Sequence, residues 1–188
     1  GVNFARGANP PREEWKAPPQ RTAGETEGAF QRFGDYLDHI RSIHGVRFVT
    51  AGDLPAIYPD PVRTDGASGQ ELAELAQRIL NRGNNGVDFQ MIGKKAFSVA
   101  DQFELLTAAV GQLIEGRMLK FPIAAQGLFG PDNPPPASPN TPHLAWPAFR
   151  DATLDARDFI RTQQRVPARV FIGADAVAPA DFLVALAS

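Results

Sequence analysis

Apolar positions along the chain follow two periods, and the change from one to the other divides it into elements. From Glu25 onward, Phe30, Phe33, Leu37 and Ile40 recur at helical spacing and predict an amphipathic helix ending near Gly45. Val46 to Thr50 then reads as a short buried strand, and Asp53-Leu54-Pro55 leaves it. The prolines and glycines of Pro59 to Gly69 read as a linker. Leu72, Leu75, Ala76, Ile79 and Leu80 line one face of a second helix, which Arg82 to Gly86 stops with residues that tolerate positive φ. Val87 to Met91 alternates as a half-buried strand does, and Gly93 ends it. Ser98-Val99-Ala100-Asp101 opens a long helix reaching about Arg117, with Phe103, Leu106, Val110, Leu113 and Ile114 inward.

Phe121-Pro122-Ile123 echoes Val166-Pro167-Ala168, each following a helix. From Phe129 through Pro139 and Pro142 to His143 the prolines exclude a helix or a central strand, so an extended connection is expected. Leu144, Trp146 and Phe149 re-anchor the chain before a last helix–strand–helix run, with Ala152, Ala156, Phe159 and Ile160 on one side and Phe182, Leu183 and Leu186 at the end. Gly1 to Thr22 reads as an irregular segment anchored by Phe4 and Trp15.

Sliding the sequence by 80 positions places Glu71–Ala108 on Asp151–Ser188 without a gap. Seven residues coincide, and four of them share the frame Gly93-x-x-Ala96-x-x-x-Ala100-Asp101 against Gly173-x-x-Ala176-x-x-x-Ala180-Asp181. Each stretch reads as a helix, an extended run ending in Ile-Gly, and a second helix, the pattern of an internal duplication. Such repeats bury a shared core and present a surface, which points toward binding or scaffolding rather than chemistry.

Composition narrows the class. With 43% hydrophobic and 21% charged residues, the chain has the balance of a folded protein. Its net charge of -2 and the lack of any basic run argue against nucleic acid, and no apolar stretch approaches the ~20 residues a bilayer span needs. Without cysteine there is no disulfide framework and no thiolate chemistry. The opening at Gly1 reads as a start inside a longer protein.

Catalytic patterns are few. Of the three histidines, His39 and His44 are five apart and so point about 140° away from each other on a helix, while Asp35 and His39 share a face as a solvated pair. Asp151, Asp155 and Asp158 lack the loop and glycine spacing of a calcium site and read as an acidic first turn, and Asp101 and Asp181 suit the positive end of a helix dipole. No Gly-x-Ser-x-Gly elbow or phosphate-binding glycine motif occurs. No catalytic residue and no metal ligand is therefore assigned. Trp146, Arg169, Phe171 and Asp175 are the expected ligand-binding surface, because aromatic and Arg side chains dominate binding hot spots.

Two stretches carry family resemblances. Phe33-Gly34-Asp35-Tyr36-Leu37-Asp38-His39-Ile40, Gly45 to Leu54, and Tyr58 resemble the closing helix and strand of polysaccharide deacetylase-like proteins. That resemblance implies an irregular (β/α) barrel that removes acetyl groups from N- or O-acetylated sugars, using a divalent metal held by an Asp and a His-x-x-x-His pair with a second Asp as base. Those motifs belong to earlier strands, so nothing catalytic is carried onto this sequence and no cofactor is expected in this chain. Pro167-x-x-Val170-x-Ile172-Gly173 before a Phe-Leu helix is similar to pseudomurein-binding repeats, cell-wall attachment modules; the first stretch has Val87 where the proline stands.

The expected architecture is α/β and α+β. Residues 1–62 would be the terminal helix–strand segment of the barrel, 63–70 a linker, and 71–188 a duplicated, mainly helical accessory domain with copies at about 71–108 and 151–188. Expected partners are the upstream barrel and a polysaccharide or cell-wall glycan, with no membrane span and with oligomerisation left open. The resemblance implies the cell envelope or the exterior. A structural module that binds only protein is the competing reading.

Overall fold

The computed structural model describes residues 21–81, 87–137 and 145–188. The expectations placed on Phe4, Trp15, the Arg82–Gly86 cap, Pro139, Pro142, His143 and Leu144 lie outside these. Among the described residues the fold is mixed α/β and mainly helical, with seven α-helices and two two-stranded sheets. The chain divides into two compact units, with the boundary between Gly52 and Asp53.

In the first unit, α1 (Ala23–Ser42) starts at a capping box in which Thr22 Oγ1 accepts from Glu25 N–H and Glu25 accepts from Thr22 N–H at 2.8 Å. No residue of α1 is buried, and Phe30 and Phe33 are exposed. Val46 to Thr50 does not form the expected strand. A strand exists only with a hydrogen-bonded neighbour, and this unit supplies none among its described residues. Arg41 instead lies over the Phe48 ring, 5.8 Å from its centroid.

The second unit begins with two single-turn helices, α2 (Leu54–Ile57) and α3 (Pro61–Thr64). Next come α4 (Gly69–Asn81), β1 (Gln90–Ile92), β2 (Lys95–Phe97) and α5 (Val99–Ile114). The last run is α6 (Trp146–Gln163), β3 (Val170–Ile172), β4 (Asp175–Val177) and α7 (Pro179–Ala187). Each extended run is thus half of a hairpin, and the sequence reading missed the return strands β2 and β4. The expected strand from Val87 shortens to three residues because the two-residue turn and the helix start at Ser98 fix the length of its partner.

Three further boundaries differ from expectation. The segment read as a linker is packed: Val62 and Ala67 have no exposed surface, and Ala67 exchanges two backbone hydrogen bonds with Ile123, at 2.7 and 2.9 Å. Helix α5 stops at Ile114, where Gly116 takes a φ of 66°. Helix α6 starts at Trp146 with Pro147 in its first turn, so Asp151, Asp155 and Asp158 sit mid-helix rather than at its positive end.

The first helix of each run packs on the second helix of the other, α4 against α7 and α5 against α6, while α5 also meets α7. Leu75, Phe97, Phe103, Leu105, Phe182 and Leu183 fill the centre. A relay of rings runs from it to the surface: Phe103 to Phe182 at 6.2 Å, Phe182 to Phe149 at 5.7 Å, Phe149 to the exposed Trp146 at 5.9 Å.

Residues 121–129 cross this body as a strap. After the cis Phe121–Pro122 peptide, Ile123 pairs with Ala67 and Ala125 N–H donates to Val62 C=O; at the far end Phe129 accepts from Val166 N–H at 2.9 Å. The similarity of Phe121-Pro122-Ile123 to Val166-Pro167-Ala168 is therefore not structural, since Ile123 pairs with the segment before α4 and Val166 with the strap itself.

Candidate functional site

The two hairpins are built alike. In the first, Gln90, Met91 and Ile92 face Phe97, Ala96 and Lys95; in the second, Val170, Phe171 and Ile172 face Val177, Ala176 and Asp175. Every member of the second set lies 80 positions after its counterpart. The turns are Gly93-Lys94 and Gly173-Ala174, with the glycines at φ 58° and 64°, as a glycine-first two-residue hairpin turn requires. A Cβ at either glycine would meet nothing within 4 Å, so backbone conformation and not close approach selects glycine there.

Alternation then sets the faces. Gln90, Ile92, Val170 and Ile172 point into the core, while Met91 and Phe171 point out, 52% and 58% exposed. Phe89, two residues before Met91, and Arg169, two before Phe171, are exposed as well.

The hairpins differ in how they are tied down. Lys95 Nζ donates to Glu71 Oε2 at 2.8 Å and to Gly66 C=O at 2.7 Å, and Arg78 donates to Met91 C=O at 2.7 Å. Burial opposes ionisation of Glu71, but the Lys95 ammonium and the Ser68 N–H outweigh it and hold the carboxyl below the ordinary range. A groove of about 520 Å³ opens beside this hairpin, lined by Ser68, Gln70, Glu71, Glu74 and Lys95 with Ile92 and Gly93 at its edge. In the second segment Asp151, Asp158 and Asp175 stand where Glu71, Arg78 and Lys95 stand in the first. Carboxylates cannot repeat those ties, and Asp151 pairs with Arg150 at 2.9 Å while Asp158 pairs with Arg161 at 3.3 Å.

Of the expected surface residues, Arg169 and Phe171 fall on the outer face of the second hairpin. Asp175 opposes Ile172 and so belongs to its other face. Trp146 lies in the first turn of α6, 62% exposed, with its ring tilted 37° against that of Phe149. The structure thus brings together two of the four. Phe89 and Met91, the matching pair on the first hairpin, were not singled out from the sequence; carrying Arg169 and Phe171 back by 80 positions finds them.

Two further clusters of charged groups are mutually engaged. Between α5 and α6 a groove of about 490 Å³ holds Arg157, which binds Glu115 at 2.8 Å, and Arg117, which binds it at 3.2 Å. Beneath the strap, the Glu104 carboxylate accepts the Gln126 N–H at 3.0 and 3.1 Å. Burial pushes its carboxyl above the ordinary range, against the pull of the Gln126 and Gly127 N–H groups; Asp101 adds to the rise and Arg63 opposes it. The Arg63 guanidinium fills the space a Cβ on Gly127 would need, and Gly127 takes a φ of 83°.

A divalent metal of the kind the deacetylase resemblance implies does not fit the described residues. No three His, Asp or Glu side chains among them converge; His39 and His44 are exposed and Asp35 accepts from Gln31. Among the described residues no helix is long and apolar enough to cross a membrane. Comparison with family models, curated proteins and solved structures gave no match.

Proposed function

We propose that this chain is the non-catalytic C-terminal portion of a polysaccharide deacetylase-like protein, and that residues 71–188 are a duplicated accessory domain that binds glycan or cell wall or braces the catalytic barrel. The carrying observation is the pair of like hairpins, each presenting one large apolar side chain outward, Met91 and Phe171, with a polar-lined groove beside the first. An apolar side chain covers the C–H face of a sugar ring while neighbouring hydroxyl, amide and carboxylate groups take its hydroxyls. In this reading the enzyme activity, the metal and the hydrolase chemistry belong to an upstream barrel that α1 helps to complete, and the envelope or the exterior is its place. Titrating the chain with soluble chitin-type or peptidoglycan fragments tests the glycan part: perturbed Phe171 and Met91 resonances are expected, and no change at millimolar ligand rejects it.

A second reading, a structural or oligomerisation module that binds only protein, is favoured by α1, which has Phe30 and Phe33 exposed and no buried residue. Sedimentation distinguishes the two. A stable dimer that buries α1, with no glycan response, supports the protein-only module.

A further inference from the structure

We propose that α1 is a dimerisation element that pairs antiparallel with α1 of a second copy of this chain. The inference rests on the second reading above and deepens it by naming what covers α1 and in which register. Thr26, Phe30, Phe33, Leu37 and Ile40 follow one another at intervals of 4, 3, 4 and 3 residues, the repeat of a two-helix seam. Within the chain this seam stays open: Phe30 is 67% and Phe33 58% exposed, and Leu37 and Ile40 keep part of their surface. An apolar stripe on a 20-residue helix is stabilised by burial against another helix.

Charge sets the partner and the direction. One flank of the seam carries Glu27, Gly34 and Arg41, the other Ala29, Tyr36 and Ile43. In an antiparallel pair each flank meets its own kind. Seating Phe30 on Ile40 and Phe33 on Leu37 of the second copy sets Glu27 against Arg41 at both ends, because a two-fold axis makes every contact occur twice. Gly34 then meets Gly34, where no side chain holds the backbones apart. In a parallel pair the flanks cross, so that Tyr36 meets Arg41 and Ala29 meets Gly34, and no opposite charges face each other. The complementarity therefore belongs to two antiparallel copies of the same helix. Glu27 and Arg41 are 14 residues apart, about 21 Å along the axis, too far to pair within one helix. The Arg41 contact with Asp38, at 3.6 Å between two largely exposed side chains, is weak enough to give way to the new pair.

Sedimentation equilibrium of the whole chain at low salt, with Glu27→Arg, Arg41→Glu and the double substitution, tests this. The parent should form a dimer, and each single reversal should raise its dissociation constant about tenfold, since two attractive pairs become two repulsive ones. The double reversal should restore the parent value, which a merely structural role of either residue would not do. Both positions are exposed, and glutamate and arginine are comparably good helix formers, so α1 itself is kept in every variant. A dimer indifferent to the single reversals, or not restored by the double one, overturns the antiparallel α1 pair and leaves the oligomerisation reading standing. A chain that stays monomeric at millimolar concentration overturns the pair and the oligomerisation reading with it.

Discussion

Gly93 and Gly173 share a backbone conformation and open surroundings, so replacing either by alanine isolates the cost of a positive φ. Each Gly→Ala substitution should destabilise by about 1 kcal/mol in urea unfolding. Gly66 has the same sign of φ, 69°, but its Cβ would come within 2.9 Å of the Ile123 backbone. Gly66→Ala should therefore cost about 3 kcal/mol, strain and overpacking together, and equal losses at Gly66 and Gly173 would refute the close-approach account. At Glu104 the prediction concerns pH. A carboxyl whose folded pKa is raised contributes stability that is complete below its unfolded value, ordinarily 4.5, and is lost as pH climbs through the raised folded value. Glu104→Gln keeps an oxygen that can accept the Gln126 N–H and removes the buried charge. Its stability relative to the parent should rise between pH 4 and pH 8, and a pH-independent difference in urea midpoints would count against burial as the cause.

Helix ends and hairpins are where the two segments part company. Ser98 and Asp101 close a capping box at α5, Asp101 accepting from Ser98 N–H at 2.9 Å, whereas α7 begins at Ala178-Pro179 and relies on the proline's fixed φ. Ser98→Ala should cost about 1 kcal/mol by thermal or urea unfolding, the usual worth of an N-cap. Helical faces and the Ser98 cap were legible from spacing because they depend on residues within one turn of each other. The return strands were not, since Lys95-Ala96-Phe97 is too short to show a period and Gly93 read as a stop rather than as the first residue of a turn. Lys95 also became a tie rather than a surface charge only because the turn folds it back onto Glu71. Lys95→Met should destabilise by about 1–2 kcal/mol and release the first hairpin, seen as faster amide exchange across Gln90–Phe97 with little change in the second hairpin.

At the scale of the whole molecule, the crosswise packing means that neither segment has a complete core. Residues 53–137 lack α6 and α7, and residues 145–188 lack α4 and α5, so each fragment should give a broad, non-cooperative thermal transition by circular dichroism. Mixing the two should restore cooperativity, because the strap contributes Phe129 to Val166 and the helices contribute α4 to α7. A fragment that unfolds cooperatively alone would mean that the crosswise packing is not what completes the core.

What the residue order determined by itself was local: the helical faces of Leu72, Leu75 and Ile79 and of Ala152, Ala156 and Ile160, the N-terminal signal at Ser98, and the recurrence of Ile-Gly at positions 92–93 and 172–173. Each follows from side-chain spacing or from the φ that one residue tolerates. Tertiary structure alone decided that Val62 and Ala67 belong to the core and that Val46–Thr50 lies outside any sheet. It also turned Glu104 toward the strap and set Met91 on an outer face. Those outcomes depend on which distant backbone arrives as a hydrogen-bond partner or a packing surface, and sequence separation carries no record of that.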